Sequence, residues 1–311
     1  MSRLDVIVSF MRYEIKRAIA RRKVLALIAF TVLLDTLPYY ALSTAGTTLI
    51  PSSAYPYIWV AGVFAVQPLF LNFTAILIAA GAMSEEYEQG TAELLLSKPV
   101  ERNDYFAGKF LGGYTLFLTI LAFNIVLSVA SAFTFFGTQF GLEILPGLFL
   151  VQAFAALVFY SLAFMLEEIV RRSSLAYIFS SAVFFSSFII SAYMDLIYTL
   201  TGKTIYKTIQ IYLPTSPANS LPIQYASPLL PQTVGIILQF VGSGTAIVPS
   251  LDLSVAILLA YTIPGHRGCG SLFLVRRHFK KDELDIIRSK LSRVQMASPW
   301  PLETGKCRFA F

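Results

Sequence analysis

Long, nearly charge-free apolar stretches recur along this chain, and nothing else in the sequence limits its fold so strongly. They run over Val24–Ala45, Ile58–Met83, Phe110–Phe136, Ile144–Leu166, Leu175–Leu200 and Leu251–Val275, each bounded by charge, proline or glycine. A helix of about 20 apolar residues crosses about 30 Å of hydrocarbon. Within lipid every backbone N–H and C=O must be satisfied inside its own segment, which excludes isolated strands. The sequence therefore predicts an all-α integral membrane protein with about six transmembrane helices. Only 14% of the 311 residues are charged, against about 25% in soluble domains, too little polar surface to cover a water-soluble globule.

Orientation follows from Lys and Arg, which accumulate on the cytoplasmic side of short loops. With the N-terminus inside, 21 of the 24 Lys and Arg residues fall in inside segments, leaving Lys203 and Lys207 outside and Arg267 within the last span. Both termini are thus expected in the cytoplasm of a multi-pass plasma-membrane protein. The net charge of +6 flanks spans instead of decorating a soluble module, so nucleic acid is not an expected partner. Two cysteines, Cys269 and Cys307, exclude a disulfide framework. The first span reads as a retained helix, because its basic leader and apolar run are both long for a signal peptide.

The expected organisation is an amphipathic N-terminal helix (1–23), a six-helix membrane domain (24–275) and a cytoplasmic tail (276–311). Within the domain lie a cytoplasmic connection (84–109) and an external segment (201–250). The stretch Leu229–Val248 is apolar but broken by Pro231, Gly235, Gln239, Gly242 and Gly244; it reads as an external helix or a re-entrant segment buried against protein. The last span is interrupted by Pro264–Gly270, a break tolerated only beside protein or water or else a local reading-frame error. In the tail, Leu284, Ile287, Leu291 and Val294 have helical spacing on the membrane surface, and 297–311 carries no assignable function. In the N-terminal helix Ile7, Met11, Ile15 and Ile19 recur at i+4 while Arg12 and Lys16 supply a basic face, a pattern suited to the headgroup layer; the alternative is a solvated cytosolic helix.

The most informative connection is Ser84–Lys109, SEEYEQGTAELLLSKPVERNDYFAGK. Glu85, Glu86 and Glu88 open it, and Gly90-Thr91 breaks the preceding helix and offers Thr91 as N-cap of a new short one. Glu93 suits that helix's positive end, Leu94, Leu95 and Leu96 form an apolar patch, and Lys98-Pro99 ends it. Two readings fit: leucines exposed for a protein partner, or a connector whose leucines fold back onto the bilayer.

The order E-x-E-x-G-T-x-E-L-L-L-S-x-P-V-x-R followed by G-K, after the second of six helices, resembles the ABC-2 family of ATP-binding-cassette transporter permeases. The match runs over Glu86, Glu88, Gly90, Thr91, Glu93, Leu94, Leu95, Leu96, Ser97, Pro99, Val100, Arg102, Gly108 and Lys109, and the N-terminal helix resembles the family's elbow helix. The resemblance implies a half-transporter working as a homodimer or heterodimer. Its coupling helix, carried by Glu86, Glu88, Gly90, Thr91, Glu93, Leu94, Leu95, Leu96, Pro99 and Arg102, would seat on a separate ABC ATPase subunit, which would hold ATP and Mg. No G-x-x-x-x-G-K-[ST] phosphate loop occurs in this chain, so no cofactor is expected on it and it reads as a transport subunit, not an enzyme.

Polar residues inside spans are costly and mark function or packing. Asp35, near the centre of the first span and just before Pro38, reads as a gate or substrate contact, or as a packing group. With Asn72 and Asn124 it defines a candidate translocation pathway; Gln67, Asn72, Asn124 and Gln152 also suit interhelical hydrogen bonds. Asp195 reads as interfacial, and Glu167-Glu168 with Arg171-Arg172 as a solvated cytosolic turn or a second ATPase contact. His266 and Cys269 gather no further ligands for a metal. The rival function is an ion- or proton-coupled transporter or channel using Asp35. A membrane enzyme or scaffold ranks last, since no nucleophile–base pair or clustered constellation is present.

Overall fold

The computed structural model describes residues 3–19, 22–45, 52–90, 102–170, 172–231, 234, 252–259 and 261–262. These belong to one compact unit, Met1–His266. Helix dominates because apolar side chains leave the backbone no partner but itself. Hydroxyls inside the spans follow suit: Thr31, Thr36, Thr119 and Thr134 each donate to the carbonyl four residues earlier. The helices are α1 (Arg3–Ile19), α2 (Arg22–Ala45), α3 (Trp59–Val66), α4 (Asn72–Ala79), α5 (Ser84–Glu88), α6 (Arg102–Phe136), α7 (Leu145–Val170), α8 (Ser173–Thr201), α9 (Thr204–Ile211) and α10 (Thr215–Ala226). No strand occurs among the described residues. Five candidate spans are long and apolar enough to cross a membrane: Val24–Thr44, Trp59–Glu86, Asn103–Phe136, Leu142–Val170 and Ser173–Thr201. Of the sixth, 252–259 and 261–262 are helical; the break at Pro264–Gly270 and the tail 276–311 lie outside the described residues.

The second span is not one helix. Gln67–Leu71 forms a π-helical turn between α3 and α4, with Pro68 in its first turn. Proline brings no N–H and crowds the preceding turn, and the backbone accommodates it with one wider turn. Past Ala79 the chain turns again before α5, so the uninterrupted Ile58–Met83 helix of the sequence reading becomes three pieces. The third span is longer than read: α6 has 35 residues and begins at Arg102. At 1.5 Å per residue it reaches about 50 Å and overshoots the hydrocarbon at its charged start.

Helix α6 is the central post. α1, α2, α3 and α4 pack on it, while α7 packs on α4, α8 and α10. Aromatic rings fill the α6–α7 seam, where Phe110 meets Tyr160 edge-on at 5.0 Å and Phe164 at 5.3 Å. Gly113 permits that contact, since a Cβ there would lie 2.4 Å from the Tyr160 hydroxyl. Two ends can be named. The basal end holds α1, α5, the starts of α6 and α8 and the close of α7; the distal end holds Trp59, whose indole donates to the Phe140 carbonyl at 2.9 Å.

From the distal end, α9 and α10 fold back inward. Lys207 pairs with Asp195 at 2.9 Å, Gln210 donates to Ser191 at 3.1 Å, and Thr215 meets Ser187 at 2.9 Å, so α9 descends along α8. Asn72 then donates to Asn219 at 3.0 Å, near the middle of the second span. α10 climbs back to the distal end, where Tyr225 packs over Gly147. Residues 204–226 thus fold back against the bundle; of the Leu229–Val248 stretch, read as an external helix or a re-entrant segment, most residues lie outside those described. Lys207 is buried in this hairpin, where the topology count had treated it as an ordinary outside charge.

Candidate functional site

Three charged side chains are buried together at the basal end: Glu14 on α1, Glu86 on α5 and Lys109 on α6. Lys109 Nζ donates to Glu86 Oε1 at 2.5 Å and also to Glu14. Arg17, half-buried beside them, pairs with Glu86 and lies 3.8 Å from both Glu14 and Glu85. The Tyr105 hydroxyl donates to the second Glu86 oxygen, and the Tyr13 ring lies 5.3 Å from the ammonium. Burial of unpaired charge is prohibitive, so such a group persists only when its partners are complete. Here two cations answer the two buried carboxylates.

Close backbone approach makes the cluster possible. Gly108 and Gly112 present no side chain to α1: a Cβ on Gly108 would lie 2.5 Å from Phe10 Cβ, and one on Gly112 2.9 Å from Glu14 Cβ. Phe10 packs edge-on against Tyr105 at 5.3 Å. The buried face of α1 thus carries Phe10, Met11, Glu14 and Ala18, and it faces α6. In the expected Ile7, Met11, Ile15 and Ile19 stripe, Ile19 is instead exposed and Ile7, Met11 and Ile15 are half-buried.

The chain between α4 and α5 is held from both polar sides. Its carbonyl at Ala82 receives Lys109 at 3.4 Å and Arg17 at 3.5 Å, cations placed where a helix end is negative. Its amides at Met83 and Ser84 both donate to Glu167 Oε1 at 2.5 Å, and the Ser84 hydroxyl adds a third bond at 2.9 Å. Glu167 is fully buried, which corrects the solvated-turn reading for that residue. Glu88 accepts from the backbone N–H of Ser173 at 2.9 Å and from its hydroxyl at 2.7 Å, capping α8.

Of the sequence-predicted site residues, Glu86 enters the cluster, Glu88 caps α8, and Gly90 adopts φ +69° just before the segment's centre, a left-handed conformation that glycine takes without strain. Thr91, Glu93, Leu94, Leu95, Leu96 and Pro99 lie outside the described residues, as does the side chain of Arg102. Glu14, Arg17 and Tyr105 were not read as site residues; Lys109 was read only within the motif, and Glu167 only as part of a solvated turn or a second ATPase contact. Glu14 carried a signal: it lies three residues after Met11, on the face of a helix otherwise buried by apolar side chains.

The three candidate pathway residues are not gathered into one group. Asn72 is engaged by Asn219 and by the Pro68 carbonyl at 3.3 Å. Asp35 on α2 and Asn124 on α6 are fully buried, and their side-chain polar atoms have no hydrogen-bond partner. Just distal to them, the Tyr39 hydroxyl and Ser128 Oγ lie 2.6 Å apart, one donating to the other, and each is within reach of the Trp59 carbonyl, at 3.2 and 3.1 Å. Among the described residues no three His, Cys, Asp or Glu side chains are grouped to hold a metal ion; His266 and Cys269 lie outside them.

A family model described as ABC-2 family transporter protein matches residues 9–263. A comparison with curated proteins finds no match. The family match begins within α1, includes the basal cluster and the connection it encloses, and runs on past α10. The chain is a multi-pass membrane protein that belongs to the ABC-2 family of transporters.

Proposed function

We propose that this chain is the membrane subunit of an ATP-binding-cassette exporter. It would work as a dimer beside separate ATPase subunits that bind ATP and Mg, with the basal end and both termini on the cytoplasmic face of the plasma membrane. The observation carrying this reading is the closed base of the 84–109 connection. The connection leaves through Glu86 and returns through Tyr105 and Lys109, and these two flanks are bonded to each other and to α1. A push on its centre reaches α1, α4 and α6 together. Glu88 passes the displacement to α8, and Glu167 passes it to α7. Charged hydrogen bonds suit this task because their geometry is directional and they resist separation.

In this reading Glu93, Leu94, Leu95 and Leu96 form the surface that an ATPase groove grips, and Asp35, Asn72 and Asn124 lie beside the route of the cargo. The test is co-purification of the chain with its ATPase from membranes. Leu95→Asp and Glu93→Arg should each abolish it while leaving the chain folded and monodisperse. Retention of the ATPase by both variants would overturn the reading.

A further inference from the structure

The α9–α10 hairpin takes no part in the coupling reading, and its first helix has inverted polarity. In α9 the buried side chains are Lys207 and Gln210, while Ile205 and Ile209 are exposed. A helix that turns its polar side inward needs polar groups to meet, and α8 supplies them turn by turn. Asp195 takes Lys207, Ser191 takes Gln210 and Ser187 meets Thr215. Ser187 stands halfway along α8 (Ser173–Thr201), so the hairpin reaches the middle of the bundle. There the Tyr261 hydroxyl of the sixth span donates to the Tyr212 carbonyl at 2.8 Å. On the way back Asn219 accepts from Asn72, and Gln224 donates to Ser254 of the sixth span at 3.1 Å.

The hairpin enters from Gly202 and leaves through Ser227–Leu229. Both points are distal: just beyond the second, Leu230 lies 3.4 Å from where a Cβ on Gly141 would stand. Such a loop can be drawn out toward the distal side without unthreading a span. Inside the bundle it is held by single bonds between uncharged side chains, which are individually weak in membranes. Its ion pair, Lys207–Asp195, sits at the mouth. Withdrawal would leave Asn72, Ser187, Ser191 and Ser254 facing a slot, each in need of a new hydrogen-bond partner. No charged residue occurs in the wall segments 72–79, 145–166, 173–194 and 253–262, so an ion placed there would meet no counter-charge.

We propose that α9–α10 is a withdrawable plug, and that the slot walled by Asn72, Ser187, Ser191 and Ser254 holds an uncharged, hydrogen-bonding part of the cargo. From the transporter reading this takes only that there is a cargo. In the packed state the hairpin's own amides and hydroxyls stand in for it.

The test is thiol labelling of the full chain in lipid nanodiscs. Cys269→Ser and Cys307→Ser remove the native thiols, and Asn72→Cys places one in the slot. The probe is hydroxyethyl methanethiosulfonate, which is uncharged and water-soluble. Asp195→Asn takes the carboxylate from Lys207, and a buried ammonium so treated drives α9 toward water. Labelling of Asn72→Cys should then rise about tenfold or more, within the usual range of coupling between two sites. Ala132→Cys, buried on α6, should not respond. The trimethylammonium analogue of the reagent should label Asn72→Cys more slowly than the neutral one, judged against the same two reagents at the exposed Lys203→Cys. Where Asn72→Cys does not fold, Ser187→Cys reports on the same slot. A rate at Asn72→Cys that ignores Asp195→Asn, or that rises equally at Ala132→Cys, overturns the plug. Equal labelling by the charged reagent overturns the uncharged cargo. The readout uses no ATPase, so its failure is separate from failure of the coupling reading.

Discussion

At the scale of single residues, Lys109 should be the most sensitive position described. Lys109→Met would leave Glu14 and Glu86 buried side by side with only the half-buried Arg17 to answer them. Removing one partner of a buried ion pair costs about 3–5 kcal/mol, so the variant should melt well below the wild type in detergent. Adding Glu14→Gln and Glu86→Gln removes the uncompensated charge and should restore part of the loss. A Lys109→Met midpoint equal to wild type would show that the cluster contributes nothing net. Gly112→Val makes a separate point, because its Cβ would lie within 3.1 Å of the Met11 carbonyl as well as of Glu14. It should lift α1 from α6, read as protease cleavage within 3–19 that the wild type resists. Sequence alone gave Lys109 two roles, topology marker and motif residue. Its burial needed α1 to be laid across Gly108 and Gly112, and no local pattern states that pairing.

Between elements, the joints at the basal end are caps and the joint at the distal end is a hairpin. The first residue of α8 has no side-chain cap of its own, since Arg172 precedes it without one; Glu88 supplies the acceptor from another element. Glu88→Ala should therefore cost about 1 kcal/mol, as losing an N-cap does. Hydrogen exchange should locate the effect at the amides of Ser173–Ala176. Faster exchange spread evenly along α8 would refute capping as the cause. The re-entrant hairpin gives a geometric prediction. Ser187 and Thr215 touch through their hydroxyls at 2.9 Å, so a Ser187→Cys, Thr215→Cys pair falls within disulfide reach and should cross-link under mild oxidation. Failure to cross-link in the membrane-embedded protein would remove the inward fold of α9 and α10. Neither the hairpin nor the π-turn was legible beforehand. Thr204–Ala226 is too polar to read as a span, and its burial depends on Ser191, Ser187 and Asn72, distant in sequence.

For the whole molecule, the bonds joining α1, α5 and α6 predict a basal block that moves as one body. Spin labels at Arg12 on α1 and Leu111 on α6, both exposed, should keep one distance distribution before and after ATP binding by the partner ATPase. A shift of that distribution on ATP binding would show that the block comes apart and that coupling runs through one helix alone. Stability of the scaffold around this block comes from α6 and α7, whose aromatic seam is buried, whereas α2 and α8 lie at the flanks with large apolar side chains such as Leu33, Leu37, Ile178 and Ile189 exposed. Such faces suit contact with lipid.

Hydropathy by itself determined the class of this protein, its span count to within the segment at 251–275, and the place of the 84–109 connection. Those follow from one-dimensional rules, because a segment in lipid must satisfy its own backbone and charge must remain at its ends. Asp35 was legible for the same reason: a carboxyl inside an apolar run stands out without any structure. Tertiary structure alone decided what each polar group meets. It turned Glu167 from a solvated charge into the anchor of the Met83–Ser84 turn, and it joined Glu14 to Lys109, 95 positions apart in sequence. The physical reason is that a buried charge is tolerable only with its partners, and those partners lie on other helices, beyond the reach of any local pattern.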